Sequence, residues 1–378
     1  MAQIIGISIS LFCALLIGAT YIIYPIIRYI RLDKQKNLKK NKAFAPKVAV
    51  LFAAYNECDV IELKINSILK SSYPQEKIQI WICSDQSNDG TDEIVKELQK
   101  ENPNIHLYRA EERTGKSGIM NILVEMADAE IIIATDANIL FTPTTVEELV
   151  HSFTEDKVGA VAGSLHYHGE YANHTAIAEN QYLQMENVIR LSESQHFGFC
   201  LGMEGGLYAI RKNLWSIIPA ATFMEDFFQT MKIVEKQYQI VFNPKAIGLE
   251  EVSTSLAEEY KRKTRIALGN FQNLKRFQSV LIKNFWPVGY AFLFHKILRW
   301  FTPHILIVLI LSLILNPLTT LLGIGLLMFC FVQFLLVKWK IHGRVAYFCA
   351  MNLAMLMGHI RYLKGVKSSV WQPTKRNQ

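Results

Sequence analysis

The chain has 378 residues, 51% of them apolar, with a mean hydropathy of +0.16 and a net charge of +7. This is too apolar for one ordinary soluble domain and too long for a bare membrane bundle, so a soluble domain joined to membrane segments fits. There is no zinc-finger spacing and no RNA-recognition signature, and the basic clusters flank apolar segments, so anionic lipid headgroups and not nucleic acid are the expected counterion.

The first apolar run, residues 4–30, contains Arg28 but no acid. At about 1.5 Å per residue it exceeds the roughly 30 Å hydrocarbon core. A cleaved signal peptide is the competing reading, but the run is too long, the start "MAQ" carries no Lys or Arg, and no small-x-small site comes after it. Residues 1–45 therefore read as an anchor and a basic linker. Arg31, Lys34, Lys36, Lys39, Lys40, Lys42 and Lys47 stand against the single acid Asp33, which places the domain after the anchor in the cytoplasm. The six cysteines (Cys13, Cys58, Cys83, Cys200, Cys330 and Cys349) are scattered, and none forms a CxxC pair. Reduced, structural thiols are expected.

From residue 46 to about 167, short β-branched runs ("KVAVLFA", "IQIWICS", "IHLYRA", "EIIIAT") alternate with helical stretches ("VIELKINSILKSS", "TDEIVKELQKE", "GKSGIMNILVEMA"). This spacing predicts a parallel sheet with helices on both faces. The strands are near-continuous apolar runs, as in sheets buried on both sides. The first strand leads into "AAYNECD" instead of GxGxxG, which argues against NAD chemistry. Residues 169–248 are less regular: a helix-like "AIAENQYLQMENVIRLSES", a Gly-rich "FGFCLGMEGGLYAIRK", an acidic "MEDFFQTMKIVEK" and a strand-like "YQIVFNP". They read as the acceptor half of the same domain.

"SLAEEYKRKTRIALGNFQNLKRFQSVL" then has helical periodicity with a basic face, and apolar density returns at Trp286. "WPVGYAFLFHKILRW" is expected to lie in the interface, and "FTPHILIVLILSLIL" and "LTTLLGIGLLMFCFVQFLLV" to form a hairpin about Asn316-Pro317. If the last run, "VAYFCAMNLAMLMGHI", spans, the tail is outside; if it is interfacial or re-entrant, the tail stays inside, as Arg361, Lys364, Lys367, Lys375 and Arg376 favour.

Gly115-Lys116-Ser117 with the acid-ended strand "EIIIATDAN" after it resembles two halves of a P-loop ATPase. Walker A needs a glycine five residues before Gly115, and that position is Ala110. Asp85 in "WICSDQSNDGT" falls at the carboxyl end of a predicted strand, where open α/β sheets place their ligands, although the stretch also reads as a plain turn. "LHYHG" puts His166 and His168 on one strand face without a nearby acid or Cys to complete a metal set, so both are read as structural.

"AAYNE", "SDQSNDGT", "GKSGIMN", "TDAN", "MEDFF" and "RKTRIALGN", in this order, resemble the family 2 inverting glycosyltransferases over about residues 46–278. "FHKILRWFTP" and "WQPTKR" extend the likeness to membrane members, the synthases of cellulose, hyaluronan and poly-N-acetylglucosamine and the ceramide glucosyltransferases. The resemblance implies an α/β GT-A domain, a Rossmann-like mostly parallel sheet over residues 46–280, flanked by an N-terminal anchor and by membrane helices with a basic tail over 281–378. It implies a multi-pass enzyme of the plasma or inner membrane, with its catalytic domain cytoplasmic, moving a sugar from a UDP-sugar to a lipid or glycan hydroxyl to give a β-linkage.

Carried over by motif, Ala54, Tyr55, Glu57 and Asp85 hold the uracil and ribose, and Lys116 lies near the base and diphosphate. Asp136 matches the first acid of the DxD element, with Asn138 in place of the second. An amide oxygen still ligates a hard cation, so Mg2+ or Mn2+ is expected with reduced ligand charge; Asn138 as a helix N-cap is the alternative. Arg262 and Arg265 match the (Q/R)xxRW element and share a helix face for a diphosphate, with Ile266 replacing the Trp; a lipid-facing basic patch is the alternative. Asp226 matches the base, with Glu225 beside it orienting the site or simply an N-terminal helix carboxylate favoured by the dipole. Gly205 and Gly206 let backbone approach the acceptor, or form an ordinary turn. The rival functions are a P-loop ATPase and a catalytically inactive membrane subunit of a polysaccharide export complex. Four or so membrane segments point to a short product or glycolipid, or to a pore completed by envelope-export partners, with "WQPTKR" as a gate or a lipid-binding tail.

Overall fold

The structure, a computed structural model, describes residues 2–33, 38–168, 174–251, 256–338 and 344–366. Lys34 and Lys36 of the linker, the side chain of His168 and the tail "WQPTKR" lie outside the described residues. The chain divides into two compact units. One is Met1–Arg31, Tyr171–Met185 and Ser253–Gly365; the other is Leu32–Glu170, Glu186–Val252 and Val366–Gln378.

The elements begin with α1 (Ala2–Gly18), α2 (Tyr24–Arg31), β1 (Val48–Ala54), α3 (Cys58–Leu69), β2 (Ile78–Ser84), α4 (Thr91–Glu101), β3 (Ile105–Arg109), α5 (Lys116–Met126) and β4 (Ile131–Thr135). Next come β5 (Leu140–Phe141), α6 (Thr145–His151), β6 (Val158–His168), α7 (His174–Phe197), β7 (Leu207–Arg211), α8 (Glu225–Glu235) and β8 (Gln239–Glu251). The remainder is helical: α9 (Leu256–Phe277), α10 (Val280–Lys283), α11 (Leu298–Ile314), α12 (Thr320–Lys338) and α13 (Arg344–Leu363).

The second unit holds an eight-stranded sheet in the order β3-β2-β1-β4-β7-β6-β8-β5. β1 runs parallel to β2 and β4, and β2 parallel to β3. Every residue of β1 and β4 is buried, as expected of strands covered on both faces. The second half mixes directions: β7 lies antiparallel between β4 and β6, β8 is parallel to β6, and β5 is antiparallel to β8. Because β1, β2 and β4 are parallel, Tyr55, Asp85 and Asp136 leave the sheet at one edge. Antiparallel β7 starts where β4 ends, with Leu207 opposite Thr135, so the turn before it stands beside Asp136.

In the first unit, Gln3–Arg31 and Phe285–Ile314 are long and apolar enough to cross a membrane, and Thr320–Gln333 is a shorter apolar helix. Residues 286–300, expected to lie in the interface, lead on into α11, with a kink at Trp286 (φ −108°, ψ 128°) near the start of the stretch. Pro303 inside α11 does not stop it, as is tolerated in apolar helices whose neighbours satisfy the backbone. The hairpin is present. Asn316 Oδ1 accepts the Leu318 N–H at 3.0 Å, and the Thr320 hydroxyl donates to the Ile314 carbonyl at 3.0 Å. α1 meets α11 through Ser10 and Ser312, whose hydroxyls lie 2.8 Å apart. α13 turns Ala346, Ala350 and Ala354 inward, and Gly358 packs so closely on Thr264 and Ala267 of α9 that a side chain there would overlap them. All six cysteines are free.

Candidate active site

The loops at the carboxyl edge are tied to one another by short polar side chains. The Asn56 N–H donates to Ser87 Oγ at 3.1 Å, the Glu57 N–H to Thr91 Oγ1 at 2.9 Å, and the Asn88 N–H to Asn56 Oδ1 at 3.0 Å. Ala54 ends β1, and its carbonyl accepts the Asp85 N–H at 2.8 Å. Glu57, largely buried, starts α3 by accepting the N–H groups of Val60 and Ile61 at 3.0 and 2.9 Å.

Asp85, fully buried, turns its carboxylate onto the loop that opens α5. Oδ1 accepts the Thr114 N–H at 2.7 Å, and Oδ2 accepts the Gly115 N–H at 3.3 Å and Arg113 Nε at 3.1 Å. Gly115 has φ +80°, ψ 158°, a conformation that favours glycine, and it delivers Lys116 as the first residue of α5. The Arg113 guanidinium lies over the Tyr55 ring, 3.3 Å from its centroid. Arg113 escapes a reading of the sequence because nothing local links it to Tyr55.

Lys116 joins the acids. Its ammonium donates to Asp136 Oδ1 at 2.6 Å, pairs with Glu225 Oε1 at 2.7 Å and reaches the Gly205 carbonyl at 3.4 Å. Burial works against this charge, but Asp136 and Glu225 outweigh it and hold the lysine pKa above its ordinary range. Met224, at φ 55°, ψ 54°, precedes α8, whose first two residues are Glu225 and Asp226. Asp226 Oδ2 accepts the Gly205 N–H at 2.7 Å, and Oδ1 the Phe227 N–H at 2.7 Å. Burial first and Glu225 second push the Asp226 carboxyl up to about 7, against the pull of Lys116 and the two N–H donors. A Cβ on Gly205 would stand 3.2 Å from Lys116 Nζ, 3.3 Å from Asp226 Oδ2 and 3.5 Å from Glu225 Oε1, whereas one on Gly206 would meet Leu165 and Ile139. Lys116, Asp136, Gly205, Glu225 and Asp226 thus form one cluster.

Asn138 lies in the turn between β4 and β5, so it caps no helix; α6 begins only at Thr145. Among the described residues no three His, Cys, Asp or Glu side chains come together as a metal set. Asp136, its side chain 41% exposed, and Asn138 offer one carboxylate and one amide. That donor set suits a hard cation that takes most of its ligands from a diphosphate and water, not a cage made by protein alone. His166 Nε2 lies 3.1 Å from Ser164 Oγ, away from any such set.

Arg262 and Arg265 are on α9, in the first unit. Arg262 Nε pairs with Glu259 Oε2 at 2.9 Å, its Nη2 pairs with Glu179, and Lys263 meets Glu259 at 3.1 Å. Burial raises the Glu259 carboxyl, but Lys263 and Arg262 more than offset it and hold it below the usual range. Arg265 is exposed.

Lys64, which the motifs do not mark, is fully buried near Asp136. It falls on the inward stripe of α3 with Ile61, Ile65 and Ile68, and a lysine at an apolar position of a clean 3.6-residue pattern is the available signal.

A mostly parallel sheet with an acidic turn and a helix-borne aspartate at its carboxyl edge is the GT-A architecture. The mannosyltransferase PcManGT from Pyrobaculum calidifontis, solved in complex with GDP-Man and Mn2+, shares this fold: TM-score 0.73, 21% identity, 96% of this chain and 99% of that one covered. The chain belongs to the family 2 glycosyltransferases, matching Glycosyl transferase family 2 over residues 49–208 and Glycosyl transferase family group 2 over 131–342. It is similar to the beta-monoglucosyldiacylglycerol synthase of Trichormus variabilis, 26% identical over 260 residues, covering 65% of this chain and 53% of that protein. It is also similar to the poly-beta-1,6-N-acetyl-D-glucosamine synthase of Staphylococcus epidermidis, 22% identical over 280 residues, covering 72% and 64%. The chain thus spans 53% and 64% of the length of these relatives.

Proposed function

We propose that this chain transfers a sugar from a UDP-sugar to a hydroxyl of a lipid or glycan acceptor, with inversion to a β-linkage. The observation that carries the reading is Asp226. It is a buried carboxyl fixed by two main-chain N–H donors, with its pKa near 7, beside a lysine that binds two further acids.

In this reading the acceptor hydroxyl attacks the anomeric carbon as its proton passes to the Asp226 carboxylate, and the bond from that carbon to the diphosphate breaks. A pKa near 7 leaves a substantial fraction of the base ionised at neutral pH and makes it basic enough to take the proton. Lys116 supplies positive charge where the leaving diphosphate gains negative charge. Ala54, Tyr55, Glu57 and Asp85 form the nucleoside side, and Arg262 and Arg265 are assigned to the diphosphate. Asp136 and Asn138 would hold a magnesium or manganese ion, which when bound neutralises diphosphate charge. Gly205, Gly206 and Glu225 form the acceptor side. Residues 46–280 are taken as the catalytic domain, cytoplasmic between membrane segments. The reading as an inactive envelope-export subunit has only Asn138 and Ile266 in its favour, against the complete Lys116, Asp136 and Asp226 set.

The test uses membranes containing the full chain, a panel of labelled UDP-sugars with Mn2+, and product sorted by size and solvent partition. Label in a small, solvent-extractable product is expected. Label in a high-mass polymer would turn the acceptor assignment toward polysaccharide, and no transfer from any UDP-sugar would end the proposal.

A further inference from the structure

α3 turns Ile61, Ile65 and Ile68 inward, and Lys64 shares their stripe with 0% exposure. An ammonium placed there forfeits its hydration, a loss no aliphatic side chain would suffer, so the packing of α3 does not call for it. The polar partners of Lys64 are specific. Its Nζ donates to Thr135 Oγ1 at 2.9 Å and to the main-chain carbonyl of Ile139. The rings of Phe141 and Phe52 flank it, with centroids 3.8 and 5.7 Å away. The Thr135 hydroxyl donates onward to the Gly206 carbonyl at 2.7 Å.

One nitrogen therefore fastens the residue before Asp136 and the residue after Asn138, and through Thr135 it reaches the turn that carries Gly205. Between the two anchors lie only Asp136, Ala137 and Asn138. The Ile139 N–H closes the same turn onto the Asp136 carbonyl at 3.2 Å. Burial weakens the charge of Lys64 while the nearby Asp136 carboxylate supports it, and burial prevails.

We propose that Lys64 is a positioning residue that holds the Asp136–Asn138 turn in the geometry needed to meet the donor diphosphate and its cation, a role that rests on the donor-side function proposed for that turn. Lys64 does not reach the protein surface, so it acts through the turn and not on the donor. A lysine with a purely structural role would change stability and leave the use of donor and metal alone.

The experiment compares the full chain in detergent with Lys64→Met and Thr135→Val, which remove opposite ends of one hydrogen bond. Amide exchange over residues 136–141, donor KM, the Mn2+ concentration for half-activation, kcat and Tm are read. Both variants are expected to exchange faster over 136–141 and to raise donor KM and the Mn2+ requirement about tenfold, the usual scale for residues that orient a metal ligand. The change in kcat is expected to be smaller, and the double variant no worse than Lys64→Met. Unchanged exchange over 136–141 in a folded variant overturns the proposal, as does a loss confined to Tm or kcat. If Lys64→Met does not fold, Thr135→Val carries the test. A wild-type chain inert toward every UDP-sugar sinks the donor reading alone, and exchange over 136–141 still decides whether Lys64 holds the turn.

Discussion

Lys116 Nζ lies 2.6 Å from Asp136 Oδ1, so the first residue of α5 is bound to the acid that directly follows β4. The same ammonium is 2.7 Å from Glu225, whose neighbour is Asp226. Replacing it with an apolar side chain leaves Asp136 and Glu225 without the cation they share. For Lys116→Met, kcat/KM should fall on the order of 10²–10³-fold, the scale of losing one group that stabilises developing charge. Its pH profile should also shift: Lys116 holds the Asp226 pKa down, so the rising limb should move above the wild-type value of about 7. A limb that stays in place would show that Lys116 and Asp226 are not coupled.

Asp226→Asn should lower turnover by about 10²–10⁴-fold while UDP binding, measured by calorimetry, stays nearly unchanged. The variant also tests linkage. The folded pKa of Asp226, about 7, lies above the ordinary 3.8, so between these values the native state holds a proton that the unfolded chain has lost. Stability from this group is therefore greatest below about pH 4 and declines as pH rises toward 7. Relative to wild type, the Tm of Asp226→Asn should thus be more favourable at about pH 8 than at about pH 5. Equal differences at both pH values would contradict the raised pKa.

Asn138→Asp restores a second carboxylate to a turn that offers only Asp136. Half-activation by Mn2+ should come at a concentration about tenfold lower, because ligand charge sets the affinity of hard-cation sites. No change in a titration of activity against Mn2+ would mean that residue 138 does not touch the cation.

Gly205→Ala places a methyl group 3.2 Å from Lys116 Nζ and 3.3 Å from Asp226 Oδ2. The neighbours must give by tenths of an ångström, enough to loosen the cluster but not the sheet. Activity is expected to drop at least about tenfold with Tm changed by only a few degrees. Gly206→Ala would instead press on Leu165 and Ile139, so its cost should appear in Tm.

The first half of the sheet is legible in the sequence because each parallel strand is a continuous apolar run ending in a polar loop, and a period of two or 3.6 residues is local information. The insertion of β7 between β4 and β6 is not legible. "LYAIR" reads as a strand, but no local pattern names its partners, and that pairing is what sets Gly205 beside Asp136. Lys116 and Asp226 are visible as motif positions, whereas their joint contact with Gly205 needs the fold. The stretch 285–314 reads as two segments because Lys296 and Arg299 break its apolar density. Arg299 is largely buried and lies over the Tyr21 ring, 6.0 Å from its centroid, and the helix continues through both positions. Lys64 stands out only once its place among Ile61, Ile65 and Ile68 is weighed against its charge, since no motif includes it.

Among the described residues, five other than glycine have left-handed backbone: Asn56, Gln86, Ala221, Met224 and Gln237. Three of them adjoin a site residue, Asn56 before Glu57, Gln86 after Asp85 and Met224 before Glu225. Such a conformation costs about 1 kcal/mol or more for a side chain with a Cβ, and it persists only where surrounding bonds leave no alternative. The loops that frame this site are therefore sprung, held in shape by contacts such as Asn56 to Ser87 and Asn88. Glycine at position 224 would ease the backbone and let the two acids after it wander.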